Sequence, residues 1–208
     1  MLYETGGLLV IFASMSTQPL TAERPDVSKK QAWFEVALIF LVFFIHAGWR
    51  PPAVNEAHYL TKAKHYWNPD WCESDIFLKS ADAHLTFYWT LGWLTGLLSL
   101  PATAWVGRVL TWGLLAWAWR RLSAAIVPGR FMAVLTAAIF LSFQHRLHMA
   151  GEWVVGGVEA KGFAYVLVFL AAEAMTRGRW RAVWPMLGAA AAFHVLVSGW
   201  ALIAANCG

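Results

Sequence analysis

The segment that decides the fold is HLTFYWTLGWLTGLLSL, residues 84–100. It is long enough to cross a bilayer as a helix, and its hydropathy favours a crossing. If it crosses, the basic stretch at 120–130 lies on the opposite side of the membrane from Lys29 and Lys30. If it lies along the surface, both groups share one side, as short positively charged cytoplasmic loops do. The sequence therefore predicts that residues 84–100 form an interfacial helix on the outer face, where interleaved Trp, Tyr and Thr side chains belong.

The composition places the remainder of the chain in a membrane. Mean hydropathy is +0.51, hydrophobic residues make up 59% and charged residues 13%, whereas soluble domains carry about 25% charged residues. Fourteen Trp residues suit the two lipid–water interfaces. The net charge of +4 is explained by basic residues that flank membrane helices, so it predicts no nucleic-acid partner. We expect an all-α, multi-pass transmembrane helix bundle with membrane lipid as its surroundings.

Five segments are predicted to cross the membrane, and the amino end is predicted to be inside. Residues 1–32 are predicted to form a disordered cytoplasmic tail, and residues 33–208 a transmembrane domain with outer loops at 50–101 and 144–161. The chain stops directly after its last apolar segment, which predicts a fragment of a longer protein. The predicted spans are 33–49, 102–119, 131–143, 163–175 and 182–205.

The two outer loops collect most of the side chains that carry chemistry. A membrane enzyme with an external active site requires such sorting of carboxylates and imidazoles to one face. The carboxylates are Glu56, Asp70, Glu73, Asp75, Asp82, Glu152 and Glu159, and the imidazoles are His58, His65, His84, His145 and His148.

Glu56 is the first candidate for catalysis, because it follows the first span by a few residues and is therefore held at a fixed depth. Desolvation near lipid raises the pKa of a carboxylate toward the range useful for a general base. The alternative is a helix N-terminal acid, with Asn55 as the cap and Glu56 favoured by the helix dipole.

Two groups of residues raise the question of a divalent cation. Asp70, Glu73 and Asp75 supply oxygen ligands, but their spacing matches no cation-binding loop and favours a solvated acidic turn. His145 and His148 recur at helical spacing with Glu152, without a zinc motif such as H-E-x-x-H. A cation cofactor is therefore left open, and no metal ligand is assigned.

Arg146 and Lys161 are the candidate partners for a substrate phosphate, because Arg matches phosphate with two parallel hydrogen bonds. Lys161 can equally snorkel to the interface or pair with Glu159. His58 and His148 are candidate substrate contacts on the same face.

Arg108 and His194 lie inside predicted spans, where ionisable residues are expensive and therefore candidates for function. Arg108 is near enough to the outer end of its helix to snorkel. His194 is not, and a neutral histidine hydrogen-bonded between helices is the alternative there. Cys72 and Cys207 leave a disulfide or two free thiols open.

The order of these features resembles the amino-terminal half of the GT-C superfamily of membrane glycosyltransferases. Asn55-Glu-Ala-His-Tyr59 is similar to the family's early acidic motif, and Tyr88-Trp89 lies where its interfacial helix belongs. Arg120-Arg121 stands at the position of its basic cytoplasmic loop. The chain departs from the family at one point, since Asn55 replaces the Asp of the usual Asp-Glu pair.

The resemblance implies transfer of a sugar from a polyprenyl-phosphate-linked donor at the outer face, in a bacterial inner membrane. It implies that Glu56 accepts the acceptor's proton, with Glu152 or Glu159 positioning the acceptor or a metal ion. Arg146 or Lys161 would hold the lipid phosphate. The alternative class is a non-enzymatic membrane protein, either a transporter component or a scaffold.

Overall fold

The computed structural model describes residues 28–53, 55–147 and 153–206, and every regular element in these ranges is helical. This confirms the all-α prediction. A short 3-10 helix, Gly92–Gly96, precedes α4. The α-helices are α1 (Lys29–Ala47), α2 (Glu56–Trp67), α3 (Leu85–Thr90), α4 (Leu100–Ile126), α5 (Met132–Leu147), α6 (Ala160–Thr176), α7 (Trp180–Phe193) and α8 (Val195–Asn206).

Within the described ranges, α1 is the one helix that is both long and apolar enough to span a membrane. It begins at Lys29 because the Ser28 hydroxyl accepts a hydrogen bond from the amide of Gln31 at 3.2 Å. The last few residues of the predicted tail therefore belong to α1, and positions 1–27 lie outside the described residues. α4 is longer, but Arg108 and the arginines at its carboxyl end interrupt its apolar surface.

Residues 84–100 do not form one continuous helix. α3 and the 3-10 helix divide the segment, and Leu100 already begins α4. Each piece is far shorter than the roughly 20 residues that a crossing requires. α3 is anchored to α2 instead, because the Trp67 indole donates to the carbonyl of Tyr88 at 2.9 Å.

The expectation of one continuous span at 182–205 is wrong, because the helix ends at Phe193. His194 has extended backbone angles, and its Nδ1 accepts a hydrogen bond from the amide of Val197 in the first turn of α8. α8 then folds back on α7, and the Ser198 hydroxyl donates to the carbonyl of Leu187 at 2.6 Å. Pro185 is the sixth residue of α7 and lies inside the helix, which continues past it to Phe193, so the reversal occurs at the histidine.

α4 and α6 lie side by side at the centre of the bundle, with α1 and α5 packed on one side and α7 and α8 on the other. α2 and α3 cover the end at which α4 and α6 begin. We call this the Glu56 end. The opposite end, where α6 finishes and α7 starts, is called the Glu173 end. Arg108 and Arg121 of α4 mark the two ends and lie about 20 Å apart along the helix axis, at 1.5 Å per residue.

Candidate functional site

Glu56 and Arg108 form a fully buried ion pair at the Glu56 end. Arg108 Nε donates to Glu56 Oε1 at 2.8 Å and Nη2 donates to Oε2 at 2.6 Å, and both side chains have no exposed surface. The third guanidinium nitrogen, Nη1, donates to the carbonyl of Trp49 at 2.5 Å. Arg108 therefore does not snorkel, because the start of α2 brings a carboxylate to it inside the protein.

The second loop meets the same carboxylate. The amide of Val158 donates to Glu56 Oε1 at 2.8 Å, and the amide of Ala53 donates to Oε2 at 2.9 Å. Gly157 permits this approach, since a Cβ there would lie 2.7 Å from the Cβ of Ala53 and 3.2 Å from that of Glu56. The two predicted outer loops are thus joined through one side chain.

The Glu56 carboxylate accepts four hydrogen bonds, two from a guanidinium and two from backbone amides. A carboxylate offers about four lone-pair positions, so these donors occupy its accepting capacity. The contact with Ala53 is the one expected of an acid at a helix start, although the Asn55 side chain makes no capping hydrogen bond. This geometry suits a group that positions its neighbours better than a group that takes up a proton.

Glu159 differs from Glu56 although it lies in the same part of the fold. It precedes α6, is 1% exposed, and its Oε2 lies 3.2 Å from Lys161 Nζ. Among the described residues, neither of its oxygens has a well-aligned hydrogen-bond donor. Burial raises the pKa of Glu159, and the nearby Lys161, Trp153 and Asn55 offset this only in part. A buried carboxylate with raised pKa and loose partners is the kind of group that exchanges a proton.

Lys161 is held in place by its surroundings and is 5% exposed. Its Nζ lies 5.0 Å from the centre of the Trp153 ring, a cation–π contact, as well as beside Glu159. The local ion pair that the sequence left open is therefore present, and the lysine is buried without snorkelling.

A cavity of ≈ 310 Å³ opens beside this site, between α2 and the chain that leads into α3, and both polar and apolar groups line it. We call it the polar cavity because it has the larger share of polar side chains of the two cavities beside α2. Asn55 belongs both to its wall and to the surroundings of Glu159. Of the predicted substrate contacts, His58 lines the cavity, with its ring 5.3 Å from that of Phe77. The lining residues are Asn55, His58, Tyr59, Lys62, Phe77, Ser80, Ala81, Ala83, His84 and Tyr88.

Lys62 supplies the positive charge in the cavity wall and is almost completely buried. Its Nζ donates to the carbonyl and hydroxyl oxygens of Ser80 at 2.6 and 3.1 Å and to the carbonyl of Ala81 at 3.1 Å. Asp82 lies 3.5 Å away as a partly exposed counter-ion. The lysine thereby fixes the loop that forms one wall of the cavity.

His84 and Tyr88 contribute neutral polar groups to the same wall. Burial lowers the pKa of His84, and the charge of Lys62 lowers it further, against a hydrogen bond with the backbone of Phe193. Its Nδ1 has no hydrogen-bond partner within the described part of the chain. Burial, with the negative charge of Asp82, raises the pKa of Tyr88 to about 12, so the phenol stays protonated at neutral pH.

A second cavity, of ≈ 250 Å³, lies on the other face of α2 and is walled mainly by apolar side chains. α2 therefore separates a polar space from an apolar one. The residues around this apolar cavity are Pro51, Pro52, Ala57, Leu60, Thr61, Leu100, Pro101 and Ala104.

The remaining predicted site residues lie elsewhere in the fold or outside the described residues. Arg146 is exposed on α5 and lines a different pocket with His46, so it is not among the residues around Glu159. His148 and Glu152 lie outside the described residues. Asp75 Oδ1 accepts from the amides of Phe77 and Leu78, as expected of a turn, and the described residues contain no cluster suited to a metal ion.

The chain matches no model of a known protein family, and neither a curated protein nor a solved structure is similar to it. The resemblance to GT-C glycosyltransferases therefore rests on the residues and their arrangement alone.

Sequence reasoning did not find the pairing of Glu56 with Arg108, or the part that Lys62 has in the cavity. One signal was available for the first, because an arginine inside an apolar helix requires a counter-charge and Glu56 follows the preceding helix. Lys62 gave no such signal. It lies on a polar stretch of α2, where an exposed lysine is the ordinary expectation.

Proposed function

We propose that this chain is a multi-pass membrane protein of glycosyltransferase type. It transfers a sugar from a polyprenyl-phosphate-linked donor at the outer face of a bacterial inner membrane. The observation that carries the proposal is one acidic site built from both predicted outer loops, where the Val158 amide binds Glu56 and Asn55 adjoins Glu159. A polar cavity suited to a sugar and an apolar cavity suited to isoprenoid units lie on the two faces of the same helix.

In this proposal Glu159 accepts the proton and Glu56 is a positioning residue. Glu56 is occupied by four donors, whereas Glu159 has a raised pKa and loosely placed partners. A pKa nearer the working pH makes a carboxylate a better general base. Asn55, between Glu159 and the polar cavity, orients the acceptor hydroxyl toward the carboxylate.

The reaction is an inverting displacement at the anomeric carbon. The acceptor oxygen forms the new bond to that carbon while the bond to the phosphate oxygen breaks, and its electron pair leaves with polyprenyl phosphate. The acceptor's proton passes to Glu159. Protonation weakens the ion pair between Glu159 and Lys161, 3.2 Å away, and the Lys161 ammonium stabilises the leaving phosphate.

The test uses membranes that contain the full chain, supplied with a panel of polyprenyl-phosphate-linked hexoses and pentoses, and measures release of polyprenyl phosphate. Glu159→Gln should lower the rate by about 10²- to 10⁴-fold, the contribution of a positioned acid–base group. Glu73→Gln is the matched control, because Glu73 is an exposed carboxylate of the first loop, and it should leave the rate unchanged. Equal rates in Glu159→Gln and Glu73→Gln would reject Glu159 as the base.

The rival function is a non-enzymatic membrane scaffold, and one observation favours it. Both Glu56 and Lys62 have their hydrogen-bonding positions filled by protein groups, as in sites whose role is structural. If membranes with the wild-type chain release no more polyprenyl phosphate than membranes without it, for every donor in the panel, the scaffold replaces the transferase.

A further inference from the structure

The Glu173 end carries an arginine cluster whose charges do not balance. Glu173 is buried near the end of α6, and its Oε2 accepts from Arg121 Nη2 at 3.1 Å and from Arg179 Nη2 at 2.6 Å. Arg177 Nε binds the other oxygen, Oε1. Three guanidinium groups thus surround one carboxylate and leave an excess of two positive charges.

The cluster is open to solvent on the arginine side. The Glu173 side chain is 3% exposed, whereas those of Arg121, Arg177 and Arg179 are 36%, 31% and 50% exposed. Each contact with Glu173 uses one nitrogen of a guanidinium that carries five N–H donors. The carboxylate therefore draws the arginines together while much of their donor capacity stays available.

The backbone fixes two of these arginines on either side of a tight turn. Gly178 has φ +68°, and the amides of Gly178 and Arg179 donate to the carbonyls of Met175 and Ala174, which ends α6. α7 starts immediately afterwards, and no side chain caps its amino end. The amides of Trp180 and Arg181 in that first turn and the positive end of the helix dipole add to the guanidinium charges.

Arg121 reaches the cluster from α4, and its guanidinium carbon lies 5.1 Å from the centre of the Trp117 ring. This stacking restricts the side chain, so less conformational entropy is lost when a ligand binds. Convergent guanidinium groups and free helix amides are the two features that recognise phosphate oxygens.

We propose that the Glu173 end is a binding site for a phosphate group, carried either by an anionic phospholipid headgroup or by a soluble phosphate. The excess of two positive charges matches a phosphomonoester, which carries about two negative charges at neutral pH. The site lies at the opposite end of the bundle from the candidate catalytic residues, and it does not depend on the proposed transferase activity.

The experiment uses the full chain purified in a neutral detergent. Binding of phosphatidic acid, added to the micelles with phosphatidylcholine as the neutral comparison, is measured by native mass spectrometry. Binding of inorganic phosphate is measured by calorimetry. Binding of phosphatidic acid alone identifies a lipid headgroup as the source, and binding of inorganic phosphate alone identifies a soluble one. Binding of neither overturns the proposal.

Two variants with opposite expected effects on phosphate binding distinguish a specific phosphate site from general attraction of anions to a positively charged protein. Arg179→Gln should weaken phosphate binding by about five- to tenfold, in line with about 1 kcal/mol per basic residue at a membrane surface. Glu173→Gln removes the carboxylate that competes with phosphate for the arginines, so it should strengthen phosphate binding. Lys79→Gln is the charge-matched control, since Lys79 is exposed and lies in the first loop at the Glu56 end.

Equal weakening by Arg179→Gln and Lys79→Gln would overturn the proposal, because it would show attraction by net charge alone. Loss of phosphate binding in a folded Glu173→Gln variant would also overturn it. If circular dichroism shows that Glu173→Gln does not fold, the comparison of Arg179→Gln with Lys79→Gln decides by itself.

Discussion

The two ends of the bundle arrange charge in opposite ways. At the Glu56 end the Glu56 carboxylate faces one guanidinium with no solvent exposure, and two backbone amides donate the other hydrogen bonds that it accepts. At the Glu173 end one buried carboxylate serves three partly exposed guanidiniums. The charges of the first pair cancel inside the protein, whereas the second cluster keeps a net positive charge that is partly exposed to solvent.

The difference shows how burial decides what an ion pair can do. A buried charge must be matched in full, because taking it out of water costs several kcal/mol. A partly exposed charge is screened by water and salt, so an excess can be carried at small cost and remain available to a ligand. We therefore expect the Glu56 end to tolerate substitution poorly and the Glu173 end to tolerate it well.

The largest expected effect comes from opening the buried pair. Arg108→Gln leaves the charge of Glu56 buried with only its two amide donors, and we expect a loss of about 3–5 kcal/mol in the free energy of unfolding. Urea unfolding of the protein in detergent, followed by circular dichroism, measures it. The double variant Arg108→Gln with Glu56→Gln should recover part of the loss. A single variant as stable as the wild type would contradict the burial of an essential pair.

The next effect is the dependence of stability on pH through Glu159, the buried carboxylate at the Glu56 end whose oxygens have no well-aligned hydrogen-bond donor among the described residues. Its pKa is raised in the folded protein, so the folded state binds the proton more tightly than the unfolded state does. Stability should therefore fall as pH rises above the ordinary glutamate pKa of 4.5 through the folded pKa, by at most about 1.4 kcal/mol per pH unit for one proton. Glu159→Gln should remove this slope, and an unchanged slope would assign it to other groups.

A smaller effect is expected at the Glu173 end. Glu173→Gln leaves three guanidiniums that repel one another, but their exposure limits the cost to about 1 kcal/mol in the free energy of unfolding. Raising salt from 0.05 to about 1 M shortens the range of this repulsion. The cost should shrink in high salt, while that of Arg108→Gln should stay nearly constant. Equal salt dependence at the two ends would remove the distinction between them.

The smallest effect is expected from Arg177, which lies one helical turn after Glu173. Arg177→Gln removes a partly exposed pair of this spacing, which is worth about 0.3–0.5 kcal/mol. The same unfolding measurement should barely register the change, because Arg121 and Arg179 still neutralise the carboxylate. A loss above about 2 kcal/mol in the free energy of unfolding would mean that the ion pairs at the Glu173 end contribute to stability as buried pairs do, like the pair at the Glu56 end.

The sequence by itself predicted the helical class and the positions of the helices that carry the fold. Long apolar runs bounded by polar residues place α1, α4, α5 and α6 close to their predicted ranges, because each run buries one continuous helical surface. The sequence shows Pro185 and His194 as interruptions of the apolar segment 182–205, but it did not predict that the chain reverses at His194. That break depends on Ser198 and Leu187 meeting across two helices, which only the folded chain brings together.

The candidate site also has features that the sequence predicted and features that only the tertiary structure decided. The sequence alone singled out Glu56, Glu159 and Lys161, since charged residues beside apolar segments are expensive and visible in one dimension. The tertiary structure decided that Glu56 is bound by Arg108, that Lys62 faces a cavity, and that Arg146 lies in another pocket. The packing of α2 on α4 brings together partners that are distant in the chain. The role of a charged side chain depends on the groups that it contacts in the folded protein, so residue type and spacing alone do not specify that role.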